Sequence, residues 1–265
     1  METQYKKKYL KYIQKCEYLE NNIIGNIQTN NIQINYVANQ YGGKKKKNKK
    51  KKNKYGKVTN IIIYDENDKL VDIAKFEEFE QYLTNTYIEP NDIVLELGAR
   101  YGSVSCTINN KLSNKENQVS VEPDSRVYEA LKKNKEINKC KFHIINGFIS
   151  NKKLNLTNTD SYDGYGSTAI EDNNSSIKSY TLQNIIEKFG LNFNVLVADC
   201  EGCLCDFFKD NLNFIKQLRM IIFEADYDKK CDYDNIRSIL KENGFEDQKV
   251  HKYNFQNVWK KQNKN

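Results

Sequence analysis

The sequence DIVLELGARYG occupies residues 92–102 and carries the clearest structural signal in the chain. Its first six residues form a largely apolar run that predicts a buried strand, and Gly98 and Gly102 predict a sharp turn into a helix. Similar apolar runs alternate with helical segments through the rest of the body. This alternation predicts an α/β fold in which helices cover both faces of a mostly parallel sheet.

The remaining elements are predicted from the same two periodicities. Further strands are expected at 118–122, 141–146, 193–198 and 220–225, with a closing hairpin around 248–251 and 257–259. Helices are expected at 75–86, 102–112, 124–137, 182–189, 203–214 and 232–243. Asp124 is the expected N-cap of the third helix, and Gly244 is expected to end the last. Ligands bind such sheets at the carboxyl ends of the strands, so residues there are the functional candidates.

Two strand ends carry a pattern typical of nucleoside binding. The turn after the first strand reads E-x-G-x-x-x-G, from Glu96 to Gly102. A dinucleotide site would require G-x-G-x-x-G, but Arg100 occupies the place of its middle glycine. The spacing therefore favours a cofactor without a diphosphate. The next strand ends at Glu122, whose carboxylate can accept hydrogen bonds from both hydroxyls of a ribose.

Acidic residues also follow the two later strands. Asp199 and Glu201 come directly after the strand at 193–198, and Glu224 and Asp226 stand at the end of the next one. Paired carboxylates at this edge can bind a hydroxylated substrate, a metal ion or a proton. Alternatively, they are acids that stabilise a helix N-terminus through its dipole. Because they lie beside the predicted cofactor turn, we expect Asp199 and Glu201 to be functional.

The net charge of +7 over 265 residues is unevenly distributed. Residues 1–57 carry 15 lysines and three glutamates, a charge of +12, whereas the other 208 residues carry 27 basic and 32 acidic groups, a charge of −5. We predict a basic, mostly disordered leader at 1–57, with a short helix at about 3–20 and a lysine-rich linker at 44–57. A folded domain is predicted at 58–265.

The lysine run allows three interpretations: phosphate neutralisation on RNA or DNA, a nuclear localisation signal, or a spacer without a specific partner. Nine lysines stand between residues 44 and 54, without aromatic or arginine residues among them. Base stacking and bidentate base recognition are therefore not expected. Non-specific, salt-sensitive contact with a polyanion is the most that this segment predicts.

Seven cysteines occur in the chain, three of them at Cys200, Cys203 and Cys205. The number is odd and the first residues lack the apolar segment of a secretory signal, so we expect reduced thiols and a cytoplasmic protein. No histidine or fourth cysteine stands at a zinc-finger spacing, so structural zinc is not expected. No apolar segment reaches about 18 residues, so no membrane span is predicted.

Several motifs occur in a characteristic order along the chain. They are VLELGARYGSVS (94–105), VSVEPDSRVYEALKKNKEIN (119–138), SYTL (179–182), VLVADCEG (195–202) and MIIFEAD (220–226). This order resembles the FkbM family of S-adenosylmethionine-dependent methyltransferases over about residues 91–246. The family usually has Gly-Ala-Asn where this chain has Gly98-Ala99-Arg100, so Arg100 either faces solvent or alters contacts to the methionine carboxylate. The leader resembles those of large DNA virus proteins, which implies the host cytoplasm or a virion.

The resemblance implies a Rossmann-like class I methyltransferase fold with a C-terminal β-hairpin, and S-adenosylmethionine as cofactor. Residues that would surround the methionine part are Glu96, Gly98, Ala99 and Gly102. Glu122 would hold the ribose, Pro123 and Asp124 would shape the adenine side, and Asn146–Ile149, including Gly147 and Phe148, would flank the adenine. Asp199 and Glu201 would face the methyl group and the acceptor as catalytic residues, with or without a divalent metal.

The expected activity is O-methylation of a hydroxyl on a sugar or other small molecule. One alternative is an RNA ribose 2′-O-methyltransferase recruited by the lysine run, and another is a non-catalytic binding module with this fold. Pro90 and Pro123 are the only prolines, and neither stands in the motifs of base-methylating DNA enzymes, D/N-P-P-Y or Pro-Cys. The polar segment 151–179 is expected to be an irregular loop that selects the small-molecule or glycan acceptor.

Overall fold

The computed structural model describes residues 60–73, 77–157, 167–225, 227–250 and 255–262. The chain divides into two units at Lys54 and Tyr55, and every described residue belongs to the second unit. The expected leader, with its helix at 3–20 and its lysine-rich linker, therefore lies outside the described residues. The residues on which the resemblance to viral leaders rests lie outside the described residues as well.

Seven strands form the main sheet. They are β1 (Val94–Leu97), β2 (Gln118–Glu122), β3 (His143–Asn146), β8 (Val195–Ala198), β9 (Met220–Glu224), β10 (Phe245–Asp247) and β11 (Gln256–Lys261). Their spatial order is β3-β2-β1-β8-β9-β11-β10. The first five in this order pair in parallel, whereas β11 is antiparallel to both β9 and β10. The expected α/β fold, with a mostly parallel sheet and a C-terminal hairpin, is confirmed.

Helices cover both faces of this sheet. They are α1 (Glu78–Tyr87), α2 (Ser103–Lys111), α3 (Tyr128–Ile137), α4 (Leu182–Phe189), α5 (Leu204–Asp210), α6 (Leu212–Ile215) and α7 (Tyr233–Glu242). Alternate side chains of a strand enter opposite layers. Leu95 and Leu97 of β1 pack with α4, α5 and α7, whereas Val94 packs with α1 and α2. Strands buried on both faces explain the nearly continuous apolar runs in the sequence.

Two helices begin with side-chain caps, whereas the N-cap expected at Asp124 is absent. Thr181 and Asn184 form a capping box at α4, and Asp232 accepts a hydrogen bond from the Asn235 amide at the start of α7. Asp124 is not a helix N-cap, because α3 begins only at Tyr128. The carboxylate of Asp124 instead receives hydrogen bonds from an arginine side chain. The helix expected at 203–214 is divided into α5 and α6 at Asn211.

The segment expected to be an irregular acceptor loop contains regular structure. Its strands β5 (Leu154–Thr157) and β6 (Thr168–Glu171) form an antiparallel pair. Two further short strands, β4 (Phe148–Ile149) and β7 (Ser179–Tyr180), pair in parallel. These strands have only two to four residues each, too few for a periodic pattern to be recognised in a polar segment. The first strand of the C-terminal hairpin, β10, also lies a few residues before the segment that the sequence indicated.

The prediction that all cysteines are reduced is wrong. Disulfide bonds join Cys200 to Cys203 and Cys205 to Cys231. The folded chain brings the paired Cα atoms to 5.4 and 5.2 Å, within the range that a disulfide requires. Because these cysteines are oxidised, the expectation of reduced thiols no longer supports a reducing compartment. Within the described part of the chain, no helix is long and apolar enough to cross a membrane.

Candidate functional site

A cleft of about 280 Å³ opens at the carboxyl ends of the central strands. Most of the residues that the sequence singled out meet in its wall. They are Gly98, Glu122, Pro123, Asp124, Gly147, Phe148, Asp199 and Glu201. They come from the ends of β1, β2, β3 and β8, which are neighbours in the sheet. The parallel arrangement thus brings together residues that are about 100 positions apart in sequence, as expected for such folds.

The turn after β1 is built against the turn after β8. Gly98 has φ +89°, and a Cβ atom there would lie 1.8 Å from the carbonyl oxygen of Asp199. The amides of Gly98 and Ala99 both donate to the Val121 carbonyl, at 3.0 Å each. These amides therefore fix the turn to β2. The contact between the two turns therefore requires glycine at position 98, whether or not a ligand is bound.

Glu122 is a buried carboxylate held in a fixed orientation. The Arg100 amide donates to its Oε2 at 2.7 Å, and the Asp124 amide donates to its Oε1 at 2.8 Å. Burial raises the pKa of Glu122, and these two backbone hydrogen bonds oppose the rise. Each carboxylate oxygen has more than one acceptor direction. Glu122 can therefore accept two further hydrogen bonds from a ligand in the cleft.

Arg100 lies in the wall of the cleft and does not face solvent, so that alternative is wrong. Its Nη1 atom lies 3.4 Å from Oδ2 of Asp124, and its Nη2 donates to the hydroxyl of Tyr101. Asp124 also binds Arg126. Burial acts to raise the pKa of Asp124, but hydrogen bonds from Arg126 outweigh it and the pKa is lowered. Arg100 is thus an oriented cation in the turn after β1.

Backbone strain is concentrated around the cleft. Among the described residues, six other than glycine have positive φ, and three of these line the cleft: Glu77 (+55°), Arg100 (+45°) and Glu201 (+53°). Such conformations cost about 1–3 kcal/mol each and persist where surrounding structure enforces them. Their grouping is an independent indication that this cleft is the functional part of the molecule.

The two carboxylates expected to be catalytic stand in a turn closed by a disulfide. Cys200 lies between Asp199 and Glu201, and its bond to Cys203 spans the turn before α5. Both cysteines also line the cleft. The Asp199 amide donates to the Leu97 carbonyl at 3.0 Å, which ties this turn to β1. The structure therefore presents Asp199 and Glu201 on a constrained loop.

Three of the predicted cofactor residues do not line the cleft. Ala99 is packed in the core between α2 and α3, and Gly102 forms the N-cap of α2. Glu96 faces the α1 and α2 layer, since it alternates with Leu95 and Leu97 along β1. Its Oε2 accepts hydrogen bonds from Ser105 (2.6 Å) and Ser120 (2.5 Å). Burial raises the pKa of Glu96 to about 7, although these hydrogen bonds oppose the rise.

Glu96 lines a second, smaller cavity of about 20 Å³. We call it the acidic annex, and its polar lining consists of Glu77, Glu80, Glu96, Asp199, Glu224, Gln256 and Thr84. Glu77, Leu97, Gly98 and Asp199 line both cavities, so the annex adjoins the cleft. Burial raises the pKa of Glu77 to about 7, opposed by a hydrogen bond from Ser103. Glu224 thus lies in the annex, while Asp226 is outside the described residues.

Several lining residues were not identified individually from the sequence, although the segment 151–179 as a whole was expected to select the acceptor. Leu154, Leu156, Ala169 and Ile170 reach the cleft from the β5–β6 pair. Lys230 donates to the Ala169 carbonyl at 2.9 Å and attaches this pair to the segment before α7. Glu77 stands in an acidic segment that reads as the exposed side of a helix. Only the tertiary fold places these residues at the site.

No group of three or more histidine, cysteine, aspartate or glutamate residues among those described is arranged to hold a metal ion. The divalent metal considered from the sequence therefore finds no ligand set in the described structure. Asn146 is not among the residues that line the cleft, and its Nδ2 atom donates to the Glu122 carbonyl at 3.0 Å. It supports the turn that carries Gly147.

Comparison with known proteins yields similarity of fold at low sequence identity. No family model and no curated protein matches the chain. An NADB-Rossmann superfamily protein from Streptococcus agalactiae has 11% identity and a TM-score of 0.44, covering 70% of this chain and 69% of its own. Precorrin-6y C5,15-methyltransferase from Geobacter metallireducens has 11% identity and a TM-score of 0.42, with 68% and 88% covered.

A ribosomal protein L11 methylase from Lactobacillus delbrueckii subsp. bulgaricus has 13% identity and a TM-score of 0.40, with 69% and 77% covered. The solved structures similar to this chain thus include methyltransferases.

Proposed function

We propose that this chain is an S-adenosylmethionine-dependent methyltransferase of the FkbM type that methylates a hydroxyl group on a sugar or another small molecule. The observation that carries the proposal is the meeting of Gly98, Glu122 and Asp199 in one cleft of about 280 Å³. It combines a nucleoside-type carboxylate with a candidate base at the edge where such sheets bind ligands.

The residues of the cleft fit the nucleoside part of the cofactor. Glu122 has acceptor capacity left for two ribose hydroxyls, because only one backbone amide occupies each of its oxygens. Val121, Phe148 and Ile149 offer an apolar surface for the adenine beside it. Arg100 supplies a positive charge next to Gly98, which suits the carboxylate of the methionine part. Bound there, S-adenosylmethionine supplies an electrophilic methyl group on a sulfonium.

Asp199 is the proposed general base, and Glu201 is proposed to orient the acceptor. A hydroxyl becomes a stronger nucleophile as a carboxylate accepts its proton, and Asp199 lies beside Gly98 where the methyl group would stand. The disulfide-closed turn holds both acids against the β1 turn, so that little reorganisation is needed when the acceptor binds. The β5–β6 pair is proposed to cover the acceptor and to exclude water.

The charge of the cleft favours a small-molecule or glycan acceptor over RNA. Eight acidic residues line it, namely Glu77, Glu122, Asp124, Glu171, Asp199, Glu201, Asp206 and Asp210, against the two cations Arg100 and Lys152. Such a surface repels a polyphosphate backbone. Contact of the lysine run with polyanions is a separate proposal, because that run lies outside the described residues.

Calorimetry with S-adenosylmethionine tests the cofactor, and labelled methyl transfer to a panel of sugars tests the reaction. Glu122→Gln should weaken cofactor binding by about tenfold or more, whereas the exposed Glu116→Gln should not change it. Asp199→Asn should lower turnover by about 10²–10⁴-fold with cofactor affinity retained. Unchanged turnover in Glu201→Ala would remove that residue from the mechanism. If the folded protein does not bind the cofactor at millimolar concentration, the proposed methyltransferase activity would be refuted and a non-catalytic binding module favoured.

Deleting residues 1–57 separates the two acceptor classes. Activity on a sugar should persist in the shortened protein at moderate salt. A methyl transfer to RNA that collapses on this deletion would instead establish the RNA ribose as acceptor, since the lysines would then supply the attraction to phosphate.

A further inference from the structure

The polar lining of the acidic annex offers almost only hydrogen-bond acceptors. Five carboxyl groups line it, together with Gln256, and no lysine, arginine or histidine does so. The hydroxyl of Thr84 also lies in the lining, but it donates to the Glu80 carbonyl at 2.9 Å. Any occupant therefore meets mainly oxygen atoms. A cation among them would favour the ionised forms of Glu77 and Glu96, whose pKa values burial raises to about 7.

Two buried oxygen atoms of the annex residues lack a donor. They are Oε1 of Glu96 and Oε1 of Gln256, on side chains of residues that are 1% and 3% exposed. The Nε2 atom of Gln256 donates to Glu80 at 2.7 Å and to Glu224 at 3.0 Å. Rotating that amide would turn its oxygen towards two carboxylates, so the orientation is determined by its neighbours. The unsatisfied atoms thus call for a donor and not for an acceptor.

The position of the annex connects it with the proposed acceptor site. Strand alternation brings Glu96, Asp199 and Glu224 to the same face of the sheet as α1, and β11 adds Gln256 beside Glu224. Asp199 and Gly98 form the boundary between annex and cleft. A volume of about 20 Å³ accepts one group of the size of a water molecule or an ammonium. A small cationic group in the annex would therefore adjoin a molecule bound in the cleft.

We infer that the acidic annex binds the ammonium group of the methyl acceptor, which is therefore an amino sugar or another amino alcohol. This assignment rests on the proposed function. An ammonium group carries N–H donors and no acceptor, which complements both unsatisfied oxygens. The annex acids also offset the repulsion that a positively charged acceptor meets next to a sulfonium. Asp199, at the boundary, is left to serve the hydroxyl while the deeper acids bind the nitrogen.

Thermal unfolding of the full chain in matched salts tests ammonium binding in the annex independently of methyl transfer. Ammonium chloride at 100 mM should raise the unfolding temperature by about 3 °C over sodium chloride, because it binds only the native state. Tetramethylammonium, which has no N–H group, should have no such effect. Ethanolamine should stabilise the protein more than ethylene glycol, which replaces the ammonium by a hydroxyl. Equal unfolding temperatures in all these solutions would mean that the annex holds only water, and would overturn the inference.

Matched variants connect the effect to the annex. Glu80→Gln and Glu224→Gln keep the shape of the lining and should weaken ammonium binding by about tenfold. Gln256→Met removes the unsatisfied amide oxygen and should do the same. Gln183→Met is the control, because Gln183 is exposed on α4 and pairs only with Glu187 there. An ammonium effect that survives in both glutamate variants would place the binding elsewhere and refute the annex.

Saturation with S-adenosylhomocysteine distinguishes the two sources of an ammonium group. If the acceptor supplies it, ammonium should still stabilise the saturated protein. Loss of the ammonium effect on saturation would show that the amino group of the cofactor fills the annex, and would overturn the assignment to the acceptor. If S-adenosylhomocysteine does not bind at all, the proposed function fails and the acceptor assignment fails with it, whereas the ammonium result remains a separate measurement on the apo protein.

Discussion

Replacing Gly98 by alanine tests whether the β1 turn is fixed by its contact with the β8 turn. The added Cβ atom would lie 1.8 Å from the Asp199 carbonyl oxygen and 2.8 Å from its carbonyl carbon, and both are backbone atoms that cannot rotate away. The residue would also keep φ near +89°. The left-handed conformation costs about 1–2 kcal/mol for a residue with a side chain. Overpacking adds about 1–3 kcal/mol.

The expected loss of unfolding free energy for Gly98→Ala is therefore about 2–5 kcal/mol. That is a large fraction of the stability of a typical domain, about 5–15 kcal/mol. Urea unfolding followed by circular dichroism measures it. Gly244→Ala is the matched control, because Gly244 has φ +79° and no atom within 4 Å of its added Cβ. This control isolates the conformational cost, about 1–2 kcal/mol. Equal losses in the two variants would refute the idea that contact between the turns requires Gly98.

Three further changes have defined outcomes. Arg219→Met should reduce the unfolding free energy by about 3–5 kcal/mol, because it removes the cationic partner of the buried Asp92. Breaking the exposed Lys132–Glu129 pair by Lys132→Met should leave the unfolding free energy nearly unchanged in the same urea titration. Replacing Cys205 and Cys231 by serine removes a disulfide with a sequence separation of 26 and should lower the unfolding free energy by about 3.5 kcal/mol. Removing the Cys200–Cys203 disulfide, with a separation of 3, should lower it by about half as much. Equal losses would contradict the dependence on loop length. Burial raises the pKa of Glu96 from 4.5 to about 7, opposed by hydrogen bonds from Ser105, Ser120 and Gln118 and assisted by the nearby Glu122. The protonated Glu96 therefore contributes its full stabilisation below pH 4.5, and this stabilisation is lost as the pH rises through about 7. Glu96→Gln should flatten that decline, which amounts to about 3 kcal/mol at most, in unfolding temperatures measured from pH 5 to pH 8, and an unchanged slope would contradict the assignment to Glu96.

The central sheet could be predicted from the sequence because most of its strands are apolar on both sides, whereas β2 alternates between apolar and polar residues. β1, β2, β8 and β9 all lie within the runs that the sequence indicated. The meeting of Glu122 with Asp199 followed from topology alone, since neighbouring parallel strands end at one edge. The same two-sided burial explains the error at Glu96. A strand without polar alternation gives no sign of which face each side chain enters, so the sequence could not assign Glu96 to the annex instead of the cleft.

Contacts between residues distant in sequence account for the other differences. Cys205 and Cys231 pair only because α5 and the segment before α7 pack together, and their spacing along the chain carries no trace of this. Asp124 looked like a helix cap because aspartate is one of the residues preferred at the N-cap position. The nearby guanidinium groups of Arg100 and Arg126 compete for its carboxylate, and the helix begins later. Glu77 and the β5–β6 pair likewise reach the site through tertiary packing.

The position of β11 between β9 and β10 has a consequence for biosynthesis. β10 is made before β11 but cannot join the sheet until β11 is present to pair with it. While the chain emerges from the ribosome, the apolar β9 is therefore an unpaired edge, open to association with other chains. Gln256, at the start of β11, is the residue that then joins β11 to Glu80 and Glu224 in the annex. Closure of the sheet and completion of the annex are consequently the same late event in the maturation of the nascent chain.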